Sequence, residues 1–219
     1  MVAPDEPVHL LAAPEPFVSR AGRKLNAALD VFDVDITGKT AIDVGASTGG
    51  FTDCLLQRDV ESVVALDVGY GQLHWKIRQD ERVTTIERTN VRTVDPAAIG
   101  APFDIVVGDL SFISLGMLAP QLVALGTDQT DWILLIKPQF EVGKDQVGKG
   151  GIVRDRETRE RAIRSVATAF NVEGATTVGL VRSPITGTTG NVEYLAWFRR
   201  DMAPQDVEIL IHRLPGDDQ

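Results

Sequence analysis

From Ser19 to Phe198 the chain alternates short β-branched runs with longer stretches whose apolar residues recur at helical spacing, and few folds satisfy that alternation. Parallel strands cannot be joined by a tight hairpin, so each needs a crossover, usually a helix that covers the sheet. The predicted strands are Thr40 to Val44, Ser62 to Leu66, Thr84 to Ile86, Phe103 to Val107, Trp132 to Ile136, Thr176 to Val181 and Tyr194 to Phe198. They predict an α/β, doubly wound domain with helices on both faces. Arg20 to Val31 places Leu25, Ala28, Leu29 and Phe32 on one face, with Ser19 as the expected N-cap, and Thr158 to Phe170 repeats the period with Ile163, Val166 and Phe170. Glu141 to Gly151 has four glycines and no apolar period, which predicts a long mobile loop of the kind that often carries function.

A chain of 219 residues with 43% hydrophobic side chains can bury one substantial core. The longest apolar runs, such as Trp132 to Ile136 and Val178 to Val181, are far shorter than the roughly 20 residues a membrane-spanning helix needs. The start of the chain, with Asp5 and Glu6, lacks the basic and apolar regions of a secretory signal, so a cytoplasmic location is expected, with no membrane partner. Cys54 is the single cysteine, and His9, His74 and His212 lack ligand spacing, which argues against disulfides and zinc. The net charge of −9 comes mostly from the ends: residues 1 to 18 hold three acids and no base, and residues 201 to 219 hold five acids and one base. The body is nearly neutral, with Arg20, Arg23 and Lys24 clustered and eight bases against five acids from Lys137 to Arg164. Such clusters are either solvated faces or a local surface for a polyanion. The expected organisation is a linker over residues 1–18, with prolines at 4, 7, 14 and 16, one globular domain over 19–200, and an acidic tail over 201–219.

The strongest local signal is Ala41-Ile42-Asp43-Val44-Gly45-Ala46-Ser47-Thr48-Gly49-Gly50-Phe51-Thr52, an apolar strand entering a glycine turn and then a helix. Its glycine spacing is not the Gly-x-Gly-x-x-Gly of dinucleotide sites, which disfavours a nicotinamide oxidoreductase, and no lysine follows as in a phosphate-binding loop. Asp43 would repel a pyrophosphate, whereas it suits a cationic amino-acid group or a water beside a sulfonium, so S-adenosylmethionine fits that electrostatics. Asp67 ends the next strand at the position where an acid binds ribose hydroxyls in this fold class. Asn90 follows the third strand and is placed to reach an adenine edge. The alternative for the turn alone is a tight strand-to-helix connection.

Three further polar groups fall at strand ends, where open parallel sheets build their sites. Asp109 follows an apolar strand, Lys137 ends a wholly apolar one, and Glu193 begins the last strand, which must run antiparallel to bring Glu193 to the same rim. A cation there is costly without an anionic partner, and Asp109 is the expected one. Each residue alone reads better as a solvent-exposed strand-end charge, and it is their convergence that points to a site.

Six segments together resemble the hemolysin A (TlyA) group of ribosomal RNA 2′-O-methyltransferases, within the wider FtsJ-like, Rossmann-like S-adenosylmethionine-dependent methyltransferase fold. They are Val18 to Leu25, Asp43 to Thr52, Asp67 to Leu73, Gly108 to Leu115, Lys137 to Gly143 and Gly190 to Tyr194. The resemblance implies a seven-stranded, mostly parallel sheet with an antiparallel last strand. It further implies a Lys-Asp-Lys-Glu tetrad, falling on Lys24, Asp109, Lys137 and Glu193, methylation of ribosomal RNA or ribosomal subunits, and cofactor contacts from Asp43, Gly45, Ala46, Ser47, Thr48, Gly49, Gly50, Phe51, Asp67, Asn90 and Asp109. The family usually begins with a small RNA-binding domain, so residues 1–18 are expected to be a remnant or linker after it. Arg20, Arg23 and the bases from Lys144 to Arg164 are candidates for the RNA backbone, and Tyr70, His74 and Trp75 for stacking on an extruded base. A catalytically silent cofactor- or ribosome-binding module and a membrane-active hemolysin are the alternatives.

Overall fold

The computed structural model describes residues 15–216, so the expected linker lies almost wholly outside the described residues. Seven strands, β1 (Thr40–Val44), β2 (Ser62–Leu66), β3 (Val83–Ile86), β4 (Phe103–Gly108), β5 (Gly126–Ile136), β6 (Thr176–Arg182) and β7 (Tyr194–Arg199), form one sheet in the order β3-β2-β1-β4-β5-β7-β6. The pairs from β3 through β5 are parallel, and β7 runs antiparallel to both β5 and β6. Each apolar run of the sequence therefore becomes a strand. The largest change of bounds is in β5, whose first half, Gly126 to Asp131, is polar and partly exposed, so the hydrophobic pattern begins only at Trp132.

Helices α1 (Ala21–Phe32) and α2 (Gly50–Gln57) cover one face, where Leu25, Leu29, Phe51 and Leu55 pack against β1, β4 and β5. The other face is covered by α4 (Ala119–Val123) and α6 (Arg156–Val172), where Leu122, Ile163, Val166 and Phe170 meet Val106, Trp132 and Phe198. The Phe170 and Phe198 rings stack at 4.2 Å, and the Trp132 indole N–H donates to the Leu122 carbonyl at 2.9 Å, so the largest core side chain is buried without an unsatisfied donor. Two one-turn helices, α3 (Trp75–Arg78) and α5 (Pro138–Glu141), sit near the carboxyl rim of the sheet.

Three local expectations need correction. Ser19 does not cap α1: Arg20 is already helical at φ −56° and ψ −22°, and the Ser19 carbonyl rather than its hydroxyl closes the first turn on Gly22 N–H. The 141–151 segment is not structureless, since Glu141 ends α5 and Lys144–Gln146 forms a 3-10 turn. Residues 201–216 are not a free acidic tail. They contain α7 (Val207–His212) with Leu210 and Ile211 buried, and Gln205 donates to the Thr177 and Val178 carbonyls, occupying acceptors of β6, the last strand in the sheet order.

The chain leaves β1 toward β2 and β3 but returns to the other side of β1 to make β4 and β5, so the direction of winding reverses between β1 and β4. Ligand crevices form outside the carboxyl ends of strands at such a point. At the opposite end of the sheet, buried Asp131 is fully engaged by Lys39, Arg199 and the Trp197 indole at 3.2, 2.7 and 2.8 Å, a closed structural cluster with nothing left for a ligand.

Candidate active site at the carboxyl rim of the sheet

Four elements deliver the four charged residues to one place. Register pairs Ile136 of β5 with Tyr194 of β7, so the next residue on one strand, Lys137, and the preceding one on the other, Glu193, flank the same rim. Asp109 leaves β4 beside them, and Lys24 reaches in from the first turns of α1, which packs on α2. Lys137 Nζ lies 2.6 Å from Asp109 Oδ1 and 2.6 Å from Ser111 Oγ. Lys24 Nζ lies 2.6 Å from Glu193 Oε2 and 3.6 Å from Asp109 Oδ2. Lys24, Lys137 and Glu193 are only 7%, 8% and 2% exposed, and each lysine is placed against a carboxylate, which a buried cation needs. The tetrad lines a cavity of about 310 Å³ together with Asp43 and Arg20.

Asp43 is completely buried on β1. Its Oδ2 accepts from Thr52 N–H at 2.9 Å and Thr52 Oγ1 at 2.7 Å, while Oδ1 has no hydrogen-bond partner among the described residues. Burial pushes its carboxyl up to about 7, with the negative charges of Asp109 and Asp67 adding to the effect and the Thr52 bonds opposing it. An unsatisfied acceptor on the wall of a cavity is costly unless a cationic group or a bridging water meets it.

A second cavity, of about 440 Å³, adjoins the first and shares Gly45, Ser47, Asp109 and Ser111 with it. Its walls include Val44, Leu66, Leu110, Ile113 and Leu118, with Asp67 and Asn90 as polar members. Gly45 forms the common wall with φ +82°, and a Cβ there would stand 3.0 Å from Leu110 Cδ2, so both backbone conformation and space call for glycine. Asp67 holds its own loop, accepting from Ser47 N–H at 2.7 Å and Gly69 N–H at 2.6 Å. Asn90 Oδ1 accepts from Arg92 N–H at 3.0 Å, leaving the amide nitrogen without a partner among the described residues.

These features fit S-adenosylmethionine: an apolar slot edged by an amide and a carboxylate suits an adenosine, and the lone Asp43 oxygen suits the cationic end. Of the turn residues, Gly45, Ala46, Ser47, Thr48, Gly50 and Phe51 line the tetrad cavity, and Gly49 serves as the N-cap of α2 behind it. Tyr70, His74 and Trp75 line neither cavity, and the Tyr70 ring instead carries the Arg88 guanidinium at 4.1 Å. The exposed aromatic at the site is Phe112, which is 92% exposed, lines the second cavity and lies 5.4 Å from the Phe140 ring.

Sequence reasoning missed several site residues. Ser111 fixes Lys137, yet one serine in an apolar stretch carries no signal. Glu141 accepts from Ser114 Oγ and Leu115 N–H, both at 2.7 Å, tying the loop after β4 to the loop after β5. Gly187 approaches Glu193 so closely that a Cβ would fall 2.5 Å from Oε1. Asn191, itself buried, bonds Val153 N–H at 2.9 Å and the Gly151 carbonyl at 2.8 Å, joining the Glu193 loop to the glycine-rich one.

The sheet order, the antiparallel seventh strand and a strand-end site at the switch point define the α/β methyltransferase class. An S-adenosylmethionine-dependent methyltransferase from Mesorhizobium loti, at 13% identity, shares this fold with a TM-score of 0.56 over 80% of this chain and 96% of its own. The FtsJ-like methyltransferase family matches residues 17–200, and the chain belongs to that family, in its TlyA group of ribosomal RNA methyltransferases. It is 48% identical over 201 residues to the 16S/23S rRNA (cytidine-2′-O)-methyltransferase TlyA of Mycobacterium tuberculosis, covering 90% of this chain and 75% of that protein. A Lactococcus lactis protein described as a hemolysin superposes with a TM-score of 0.84 at 41% identity, covering 90% of this chain and 97% of its own. Among the described residues no helix is long and apolar enough to cross a membrane.

Proposed function

We propose that this enzyme transfers the methyl group of S-adenosylmethionine to ribose 2′-hydroxyls of ribosomal RNA, with Lys24, Asp109, Lys137 and Glu193 as its reaction centre. The observation that carries the assignment is two buried lysines held by two carboxylates at the junction of an apolar cavity and a polar one. When bound, the cofactor supplies an electrophilic methyl group on a sulfonium. The second cavity, with Asp67 and Asn90, would hold its adenosine part, the Gly45 to Phe51 turn would border it, and Asp43 Oδ1 would meet its cationic end.

The residues of the chain then orient the oxygen and manage its proton. Lys137 spends two of its hydrogen-bonding directions on Asp109 and Ser111, which leaves one for the ribose oxygen in the cavity. In that position it stabilises negative charge on the oxygen as the hydroxyl proton passes to Asp109, whose Oδ2 is held only loosely by Lys24 at 3.6 Å, and the carbon–sulfur bond of the sulfonium breaks as the oxygen–methyl bond forms. The contribution of Lys137 grows in a site sheltered from water. Asp109 bridges the two lysines and holds both in register, and Glu193 fixes Lys24 where it orients the ribose. Holding the oxygen in line with the methyl group supplies much of the acceleration. The exposed Phe112 ring at the cavity mouth offers a stacking surface for a base turned out of structured RNA.

The test is methyl transfer from labelled S-adenosylmethionine to isolated ribosomal subunits, followed by mapping of ribose methylation. Label recovered on a 2′-oxygen supports the proposal. Cofactor binding without transfer, or label on a base, refutes it.

A further inference from the structure

We propose that the open wall of the tetrad cavity is a phosphate site, in which Arg20, Thr186 and Thr188 hold a phosphodiester attached to the ribose that is methylated; this rests on the ribose-methylation reading above. The tetrad has no spare charge: Lys24 and Lys137 are matched by Glu193 and Asp109, and Asp43 adds an acid to the same cavity. A nucleic acid carries a negative charge at every link, so a cavity with such a floor needs a cation elsewhere. Arg20 is the remaining cation on its lining. Its side chain is exposed and makes no ion pair or hydrogen bond among the described residues, whereas Arg23, one turn along α1, is bound to Glu15 at 2.8 Å.

Thr186 and Thr188 line the same cavity, and their hydroxyls are likewise without partners among the described residues. Their loop is held in place. Gly187 N–H donates to the Asn191 carbonyl at 2.9 Å, Gly190 N–H donates to the Gly187 carbonyl at 2.8 Å, and Asn191 is itself anchored to Val153 and Gly151. The close approach of Gly187 to Glu193 sets these hydroxyls in a fixed relation to the Lys24–Glu193 pair. A guanidinium flanked by hydroxyl donors matches the planar, bidentate recognition of phosphate oxygens. The phosphodiesters hang from the ribose ring itself, so anchoring one fixes the 2′-oxygen at Lys137 and selects for position rather than sequence.

Arg20→Ala, Arg20→Lys and Thr186→Val/Thr188→Val are compared with wild type, each first checked for a wild-type melting profile. For transfer to ribosomal subunits, Arg20→Ala is expected to raise KM about tenfold and to lower the slope of log KM against log salt by roughly 0.7–0.9, the release expected for one lost phosphate contact. S-adenosylmethionine Kd should stay within about twofold. Arg20→Lys should restore the salt slope without restoring KM, because a point charge lacks the fork. In a second arm, calorimetry on cofactor-saturated protein compares a nucleoside with its 3′- and 5′-monophosphates. Preference for either monophosphate in wild type, lost in Arg20→Ala, supports the site and identifies the link it holds. An unchanged KM and salt slope in Arg20→Ala, or no monophosphate preference in wild type, overturns it. If wild type transfers no methyl to RNA, the ribose-methylation reading fails, and the calorimetric arm still decides whether the wall binds phosphate.

Discussion

Replacing each lysine of the tetrad by methionine separates its structural cost from its chemical one. Lys24 neutralises Glu193, which is 2% exposed and has Lys24 as its ion-pair partner at 2.6 Å. Lys24→Met therefore strands a buried carboxylate, at a cost of about 3–5 kcal/mol. Lys137 neutralises Asp109, whose side chain is 17% exposed and keeps Lys24 at 3.6 Å after Lys137 is gone. Its removal resembles the loss of one charge-assisted bond, about 1.5–3 kcal/mol. For a domain of this size each kcal/mol lowers Tm by roughly 2–4 °C, so Lys24→Met is expected to melt below Lys137→Met, and both below wild type.

Catalysis should rank the other way. Lys137→Met removes the group placed on the ribose oxygen and should lower kcat by roughly 10²–10⁴, while cofactor Kd stays within a few-fold because Lys137 does not line the apolar cavity. The assay is single-turnover methyl transfer to ribosomal subunits at 20 °C, with calorimetry for the cofactor and thermal melts on the same samples. Near wild-type transfer by folded Lys137→Met would refute its role. Loss of cofactor affinity instead would move Lys137 into the cofactor pocket, and a Lys24→Met variant as stable as wild type would show that Glu193 does not depend on that pair.

Asp67→Ala removes the acceptor of both Ser47 and Gly69 N–H and should weaken S-adenosylmethionine binding by about 1.5–3 kcal/mol; an unchanged calorimetric Kd in the folded variant would take Asp67 out of the site. Because burial raises Asp43 to about 7, its contribution to stability is full below the ordinary carboxylate value and lost as pH rises through about 7, so the Tm of wild type should fall relative to Asp43→Asn between pH 5 and 8. A cationic ligand at Oδ1 favours the ionised form, so cofactor affinity should rise over the same interval with proton release, and a pH-independent Kd would contradict that placement. Gly187→Ala forces Glu193 or its loop aside and should cost at least about tenfold in kcat with little change in cofactor Kd, measured by the same transfer assay and calorimetry.

The fold was legible because a central parallel strand such as β1 is buried on both faces and therefore writes itself as an apolar run; β1 and β2 have the bounds the pattern predicts. The pattern failed where burial did not set composition. The first half of β5 is polar because it projects beyond the core, and α7 lies in an acidic segment where a few apolar residues suffice to cover β6. Asp109, Lys137 and Glu193 were reachable from strand ends, and the Asp109–Lys137 pair from the cost of an unpartnered cation, whereas Lys24 came from the resemblance and its pair with Glu193 had no local signal. Lys24 and Glu193 are separated by 169 residues and meet only because β7 inserts between β5 and β6. Ser111, Glu141 and Gly187 act through contacts with other loops, and no local spacing encodes those.

The same pairing explains how a chain with a net charge of −9 presents a surface to a polyanion. Many cations are held by carboxylates: Arg58 by Asp30, Arg78 by Glu87, Arg82 by Asp80, Arg164 by Glu160 and Glu208, and Arg199 by Asp131 and Asp201. Lys144, Lys149 and Arg154 are exposed and have no carboxylate partner among the described residues. All three belong to the segment that follows α5 from Lys137 and that Asn191 ties to the Glu193 loop, and Arg20 lines the tetrad cavity. Net charge averages over the whole surface, whereas a phosphate within a Debye length of about 8–10 Å responds to the unpaired charges near it. Affinity for RNA is therefore expected to depend on a few unpaired cations, set against long-range repulsion from the rest of the chain. Such a balance predicts an RNA affinity that is lost steeply with salt, because screening weakens each of those few contacts.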